Sequence, residues 1–185
     1  MQRTQNSKRI LSALFLSKTM RNSSLLDEAY ELCEEGKYTL ALEFYDLVLF
    51  KDPKNVTALI NKGVTLQTLG KHAKAIKCYD LALEIEKDNI DALVNKGAAL
   101  HTLGKFHDAI DCYNIALKTK PKYAMAIAYK GLSLGEIGLL KDAIKCFNAA
   151  LKIDKKFDMA LNNKAIALEL LKNNTKLKPK LVKQN

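Results

Sequence analysis

Residues 56–89 read VTALINKGVTLQTLGKHAKAIKCYDLALEIEKDN, and residues 90–123 repeat their pattern as IDALVNKGAALHTLGKFHDAIDCYNIALKTKPKY. Glycine occupies two positions of this pattern with a period of 34 residues, in the series Gly36, Gly70, Gly104 and Gly138 and the series Gly63, Gly97 and Gly131. A fixed repeat of this length is typical of a helix-turn-helix unit that buries its apolar face against neighbouring copies. The sequence therefore predicts an all-α protein built from repeated helical hairpins.

The glycines divide the chain into four whole repeats and a half repeat, at residues 22–55, 56–89, 90–123, 124–157 and 158–171. Each whole repeat is predicted to hold two helices. In the second repeat, Leu59, Gly63 and Leu66 share one face of the first helix, and Gly70 is placed to end it in a left-handed conformation. The half repeat is predicted to be a helix that caps the row of repeats.

The second helix of each repeat pairs a small side chain with an aromatic ring. The pairs lie four residues apart and are Ala41 with Tyr45, Ala75 with Tyr79, Ala109 with Tyr113, and Ala143 with Phe147. A small residue lets the two helices of a hairpin approach, and a ring fills the space that this approach leaves. We expect these side chains to form the interior.

This register of glycine, alanine and aromatic residues resembles the tetratricopeptide repeat over about 150 of the 185 residues. The resemblance implies a right-handed α-solenoid of four hairpins and a C-terminal capping helix, in one domain over residues 22–171. It also implies a non-enzymatic scaffold for protein–protein interaction. The family serves many unrelated assemblies, so the resemblance indicates the fold more specifically than the function.

The net charge of +10 comes from the two ends of the chain. Residues 1–21 hold five basic residues and residues 172–185 hold five lysines, and neither stretch holds an acid. Between them, 20 lysines balance 20 acids. We expect a basic N-terminal segment that is partly helical or disordered, and a basic disordered tail at 172–185. These ends allow an alternative function as an adaptor to an anionic surface, either nucleic acid or membrane.

The stretch KRILSALFLSK at residues 8–18 is amphipathic if helical. Three interpretations stay open for it: a cap on the first repeat, a membrane-surface helix, or a transit peptide. The sequence contains no apolar stretch long enough to span a bilayer, and its four cysteines form no disulfide framework. A cytoplasmic location is therefore expected.

Charge also changes along the repeats. Residues 22–55 hold eight acids and three lysines, whereas residues 124–157 hold six lysines and three acids. Opposite charges at the first and fourth repeats predict weak, salt-sensitive self-association.

In a tetratricopeptide stack, by resemblance, the first helices of the repeats line a concave groove. The candidate peptide-binding residues on those helices are Ile60, Asn61, Val64, Val94, Asn95, Ala98, His101, Tyr129, Leu132 and Asn163. Asn61, Asn95 and Asn163 match an asparagine that several family members use to hold a peptide backbone, and Tyr129 interrupts this series. A side-chain amide both donates and accepts, so it suits an extended peptide of any sequence.

Other family members clamp an acidic C-terminus with lysines and an arginine, and this chain lacks those residues at the matching positions. The slots hold Leu26, Tyr30, Asn61, Asp91 and Asn95. We therefore expect a protein or peptide partner that offers an apolar or mixed segment.

The sequence predicts neither catalysis, nor a cofactor, nor a metal site. Cys78, Cys112 and Cys146 recur one repeat apart, too far for a disulfide or a shared metal ion, and are expected to be small packing residues. His107 and Asp111 lie four residues apart on one helix near Cys112, but they lack a remote third ligand that would complete a metal site. The glycines end or pack helices, and no phosphate-binding loop or nucleophile motif occurs.

Overall fold

The structure is a computed structural model that describes the backbone of residues 22–181 and the side chains of residues 22–174. These residues form nine helices and no strand: α1 (Asn22–Glu34), α2 (Tyr38–Lys51), α3 (Val56–Thr68), α4 (His72–Ile85), α5 (Ile90–Thr102), α6 (Phe106–Thr119), α7 (Ala124–Glu136), α8 (Leu140–Ile153) and α9 (Asp158–Leu181). The helix pairs match the four predicted hairpins. Residues 1–21 lie outside the described part, together with all three interpretations of the N-terminal segment.

A glycine in the left-handed region ends the first helix of each hairpin, as the sequence predicts. Gly70 has a φ of 70°, and Gly36, Gly104 and Gly138 have φ between 72° and 81°. The Gly70 amide donates to the Gln67 carbonyl at 2.9 Å, and the Lys71 amide donates to the Leu66 carbonyl at 2.8 Å. This pattern satisfies the last carbonyls of the helix and turns the chain back into the second helix.

The other glycine series allows close packing of the two helices. A Cβ atom placed on Gly63 would lie 2.5 Å from the Tyr79 ring, and one on Gly97 would lie 2.5 Å from the Tyr113 ring. The corresponding distance from Gly131 to the Phe147 ring is 2.8 Å. The first helix therefore rests directly on the aromatic residue of the second, and the predicted interior is confirmed.

An asparagine at the end of the first and of the second repeat caps the helix that follows it. The Asn55 side chain accepts a hydrogen bond from the Ala58 amide at 2.9 Å, and Asn89 accepts one from the Ala92 amide at the same distance. Both are N-caps, which satisfy amides that the helix itself cannot.

The chain divides into two compact units, Met1–Asn95 and Lys96–Asn185, and the division falls within α5. In the first unit, the described core includes Leu25, Ala29, Ala41 and Tyr45, all at most 2% exposed. In the second unit, the core surrounds Phe147 and joins residues of α7, α8 and α9.

The last helix differs in length from its predicted bounds. The sequence predicts a cap that ends near Leu171 and a disordered tail from residue 172, whereas the backbone of α9 stays helical to Leu181. Lys172 stands where the earlier repeats have a turn glycine, so no residue favours a reversal of the chain there. Residues 182–185 lie outside the described part.

Candidate functional site

In the first unit, four of the five predicted groove residues are at least partly exposed on the first helices. Ile60 and Asn61 are half-buried on α3, and Val64 is 41% exposed. Asn95 is also half-buried on α5, but Val94 is only 3% exposed. Val94 therefore belongs to the interior, and its side chain leaves little surface for a ligand.

The three asparagines differ in how their amides are used. Within the described part of the chain, no hydrogen bond involves the side-chain amide of Asn61 or Asn95. The Asn163 amide nitrogen instead donates to the Met159 carbonyl of its own helix at 2.8 Å. Asn61 and Asn95 thus keep both a donor and an acceptor for a ligand, whereas Asn163 keeps its oxygen.

In the second unit, His101 connects two first helices. Its Nδ1 lies 2.9 Å from the Ser133 hydroxyl, and Ser133 is fully buried on α7. The imidazole also contacts the edge of the Phe106 ring, with 5.2 Å between the centroids. His101 is therefore a structural contact between α5, α6 and α7 as well as a surface residue.

Burial lowers the pKa of His101, and the nearby Glu136 carboxylate opposes this shift only in part. The imidazole is consequently neutral at neutral pH. A neutral ring suits its position because the ring is half-buried and hydrogen-bonded to a neutral hydroxyl.

The first unit contains the same connection with other residues. Cys33 of α1 places its sulfur 3.4 Å from the Thr65 hydroxyl of α3, and Thr65 is 3% exposed. Cys33 and His101 occupy the same position of the repeat, as do Thr65 and Ser133. Cys33 and Thr65 were not among the site residues predicted from the sequence, although a hydroxyl among apolar neighbours at a buried position was a usable signal.

Gly135 occupies the Cys33 and His101 position in the fourth repeat and has no side chain to make this connection. A Cβ placed on it would meet only the Ala143 Cβ, at 4.0 Å. A cleft of about 180 Å³ opens there between α7, α8 and α9. Its lining residues are Gly131, Leu132, Gly135, Glu136, Leu140, Phe147, Asn163, Ile166, Ala167 and Leu170.

This cleft brings together two of the predicted site residues, Leu132 and Asn163. Its rim adds two apolar side chains that the solvent reaches, Ile166 at 55% and Leu170 at 48% exposure, and one exposed carboxylate, Glu136. Most of the residues that line the cleft are therefore apolar, and the cleft carries one negative charge at its edge.

The remaining predicted residues of the second unit, Ala98 and Tyr129, also lie on first helices of the repeats. Ala98 is half-buried on α5. Tyr129 is half-buried on α7, and its ring lies 6.1 Å from the Tyr113 ring, measured between centroids. Packing against a buried aromatic residue holds Tyr129 in place and leaves part of it accessible.

The cysteines behave as packing residues. None of the four cysteines forms a disulfide, and burial raises the pKa of the Cys78 and Cys146 thiols, which keeps them protonated and unreactive at neutral pH. The described residues contain no group of three or more histidine, cysteine and acidic side chains that could hold a metal ion. None of the described helices is long and apolar enough to cross a membrane.

Two sequence profiles, both described as tetratricopeptide repeat, match residues 54–122 and 94–156. The chain belongs to the tetratricopeptide repeat family. A search of curated proteins gave no match.

Solved structures of other tetratricopeptide repeat proteins share this fold. A crystal structure of MamA matches with a TM-score of 0.73 and 24% identity, over 80% of this chain and 81% of MamA. A tetratricopeptide repeat protein from Parabacteroides merdae ATCC 43184 matches with a TM-score of 0.73 and 25% identity, over 82% of this chain and 60% of that one. The predicted fold class, an α-solenoid of helical hairpins, is confirmed.

A third similar structure is the first tetratricopeptide repeat domain of Spaghetti (RPAP3), solved bound to the HSP90 peptide SRMEEVD. It matches with a TM-score of 0.62 and 24% identity, over 65% of this chain and 95% of that one. Tetratricopeptide repeat proteins are generally non-enzymatic scaffolds for protein–protein interaction, and this chain has their fold.

Proposed function

We propose that this protein is a non-enzymatic scaffold that binds a peptide segment along the first helices of its repeats. The observation that carries the proposal is the apolar cleft at Gly135, where a missing side chain opens the surface between α7 and α9. The cleft accepts an apolar side chain of the peptide, and the surrounding polar groups contact its backbone.

The size of the cleft favours a peptide side chain over a small-molecule ligand. Sites for small molecules and cofactors typically enclose about 300–1,000 Å³. The cleft at Gly135 has about 180 Å³ and an open rim. A leucine- or methionine-sized side chain is therefore its expected occupant, with Ile166 and Leu170 covering the flanks of the bound residue.

Each unit, taken by itself, offers polar groups to a peptide backbone. In the second unit, the Asn163 oxygen remains an acceptor for a backbone N–H, because only its nitrogen is used within α9. In the first unit, Asn61 and Asn95 offer complete amides, and Ile60 and Val64 provide apolar contacts beside them.

The charge of the cleft indicates the class of peptide. The peptide bound by the Spaghetti domain contains two glutamates and an aspartate. In this chain, Glu136 lies at the rim of the cleft, and the basic clamp residues of acidic-peptide binders are absent from the matching positions. A neutral or basic segment with an apolar anchor is the ligand that this surface favours.

Filling the cleft tests the proposal directly. Peptides are first selected from a random phage-displayed library on the full chain, and their affinity for Gly135→Leu and Gly135→Ala is then measured by fluorescence anisotropy. Leucine occupies the cleft, and we expect it to weaken binding at least tenfold. Alanine adds one methyl group and serves as the matched control, with affinity within about twofold of the wild type.

Neither substitution should unfold the helix, since alanine and leucine are both better helix formers than glycine. Circular dichroism verifies this for both variants. Equal affinity of Gly135→Leu and the wild type for every selected peptide would show that the cleft is not the binding site.

The asparagines have a separate test. Asn61→Ala combined with Asn95→Ala should weaken binding of the selected peptides without changing helicity, because these amides make no hydrogen bond within the described protein. Asn163→Ala is the comparison, and it also removes a bond internal to α9. Unchanged binding by the double variant would show that Asn61 and Asn95 do not contact the peptide.

The basic ends support the alternative proposal of an anionic-surface adaptor, and this rests on the charge of residues 1–21 and 172–185. A chain lacking residues 1–21 and 173–185 separates the two functions. Peptide binding that survives the deletion supports the groove, whereas loss of binding to RNA or to phosphatidylserine vesicles supports the basic ends.

A further inference from the structure

The last helix exposes a face that every earlier repeat covers. In the second repeat, Leu59 and Leu66 are 3% and 6% exposed, because the second helix of the hairpin packs on them. The same positions on α9 hold Leu161 and Leu168, which are 44% and 46% exposed. Ala165 lies between them at the glycine position and is exposed as well.

Among the residues that the structure describes, α9 has no hairpin partner, because the helix continues where a turn is expected. A second helix in the register of the repeat would begin at residue 174, as α8 begins at Leu140. The backbone of α9 instead remains helical to Leu181. The residues that would fold back over Leu161 and Leu168 therefore extend the helix beyond them.

The exposed face has the spacing of a helix-pairing seam. Asp158, Leu161, Ala165, Leu168 and Lys172 follow one another at intervals of three, four, three and four residues. This alternation keeps all five on one narrow stripe of an α-helix and is the pattern by which two helices interlock. We call these five residues the α9 seam. Ile166 and Leu170, which belong to the cleft at Gly135, lie on another side of the helix.

The charges and side chains of the α9 seam match those of a second α9 seam that runs in the opposite direction. Asp158 is at its N-terminal end, Lys172 is at its C-terminal end, and both are exposed. Antiparallel pairing of two α9 helices brings Asp158 of each copy beside Lys172 of the other. It also packs Leu161 against Leu168 of the second copy, with the small Ala165 at the centre. Parallel pairing would place like charges together at both ends.

We propose that α9 pairs antiparallel with α9 of a second copy of this chain, and that the protein is a dimer through this seam. The pairing covers the exposed leucines and has twofold symmetry, as expected for a homodimer. The amphipathic stretch at residues 8–18 is a poorer match for the seam. It carries Lys8 and Arg9 at one end and Lys18 at the other, so either direction would bring a basic residue to Lys172.

The seam is short, at about 21 Å from Asp158 to Lys172 along the helix axis. An interface of this length is at the small end of specific interfaces. We therefore expect a dimer that dissociates on dilution, and sedimentation equilibrium of the full chain over a range of concentrations is the measurement. The molar mass should rise from the monomer value of 20.7 kDa towards twice that value.

Two sets of variants locate the interface. Leu161→Glu combined with Leu168→Glu should keep the protein monomeric at every concentration, and both side chains are exposed enough for the fold to tolerate the change. Ile166→Glu is the matched control on the same helix and should dimerise as the wild type does. Circular dichroism checks that all three proteins retain their helicity.

Charge exchange tests the orientation. Asp158→Lys and Lys172→Glu should each weaken the dimer about tenfold, since two opposite-charge contacts become like-charge contacts. The two changes combined should restore it, because antiparallel pairing again joins opposite charges. A combined variant as weak as either single variant would overturn the antiparallel arrangement.

Three results would overturn the dimer itself. The first is a monomer at all concentrations. The second is a dimer that persists in Leu161→Glu with Leu168→Glu, as association through the charges of the first and fourth repeats would. The third is a dimer that disappears when residues 1–21 are removed, which would identify that segment as the contact.

Discussion

Two glycines of α7 lie four residues apart and have opposite roles. Gly131 lies against the Phe147 ring, where a Cβ would approach to 2.8 Å, whereas a Cβ on Gly135 would make only an ordinary contact with the Ala143 Cβ, at 4.0 Å. The first glycine allows two helices to touch, and the second opens the surface between two helices. A difference of one helical turn therefore separates a packing residue from a candidate binding residue.

Alanine substitution should affect these two glycines in opposite directions. Gly131→Ala forces the ring of Phe147 to shift and should lower the free energy of unfolding by about 1–3 kcal/mol. Gly135→Ala should raise it by up to about 1 kcal/mol, through the better helix propensity of alanine. Chemical denaturation of both variants measures the difference. Equal effects of the two substitutions would contradict the assigned packing.

The pair of His101 and Ser133 predicts a stability that depends on pH. Burial lowers the pKa of His101 in the folded state, so the unfolded chain binds this proton more readily. The neutral ring stabilises the fold above the unfolded pKa of about 6.5, and this contribution is lost as pH falls through the lower folded pKa.

His101→Gln keeps a hydrogen-bonding side chain towards Ser133 and cannot titrate in this range. Lowering the pH from 7 to 5 should reduce the unfolding free energy of the wild type more than that of the variant. The two proteins differ only at residue 101, so the comparison isolates the effect of His101. If the difference in unfolding free energy between the two proteins does not change with pH, the pKa of His101 is not lowered in the folded state.

At the scale of the helix, the short length of each helix means that it is barely stable on its own. The eight helices from α1 to α8 contain 13 or 14 residues each, and helices of this length are marginal in isolation. Each one therefore depends on the alanine and aromatic side chains that join it to its hairpin partner. The turn glycines between them contribute by making the reversal possible without strain.

Ala109 tests how closely the two helices of the third hairpin approach. Its side chain is fully buried on α6, and Ala109→Leu should overpack the hairpin and cost about 1–3 kcal/mol of unfolding free energy. Ala73→Leu is the control, because Ala73 is exposed on α4. Thermal melting should show a lower midpoint for the first variant alone, and an unchanged midpoint would argue against the close approach.

At the scale of the whole molecule, stability is expected to vary along the chain. In repeat proteins each hairpin is stabilised mainly by its immediate neighbours, so an end that lacks a neighbour is the least protected. The part of α9 beyond Leu171 has no hairpin partner among the described residues.

The rate of hydrogen exchange at backbone amides should therefore differ between parts of the second unit. We expect the amides of residues 172–181 to exchange fastest and those of α7 and α8 around Phe147 to exchange slowest. Mass spectrometry of peptic fragments resolves the two regions. Uniform protection along α9 would show that the end of this helix is covered by another surface.

The sequence by itself determined the register, the hairpins, the turn glycines and the face of each second helix that carries its alanine and aromatic pair. These features follow from spacing, because residues three and four apart share a helix face wherever the helix lies. Only the tertiary structure decided that Val94 is buried, that His101 bonds Ser133, that Gly135 opens a cleft and that α9 leaves Leu161 and Leu168 uncovered. Each of these depends on which side chain a neighbouring helix brings to the same point in space, and that is not a property of one helix's own pattern.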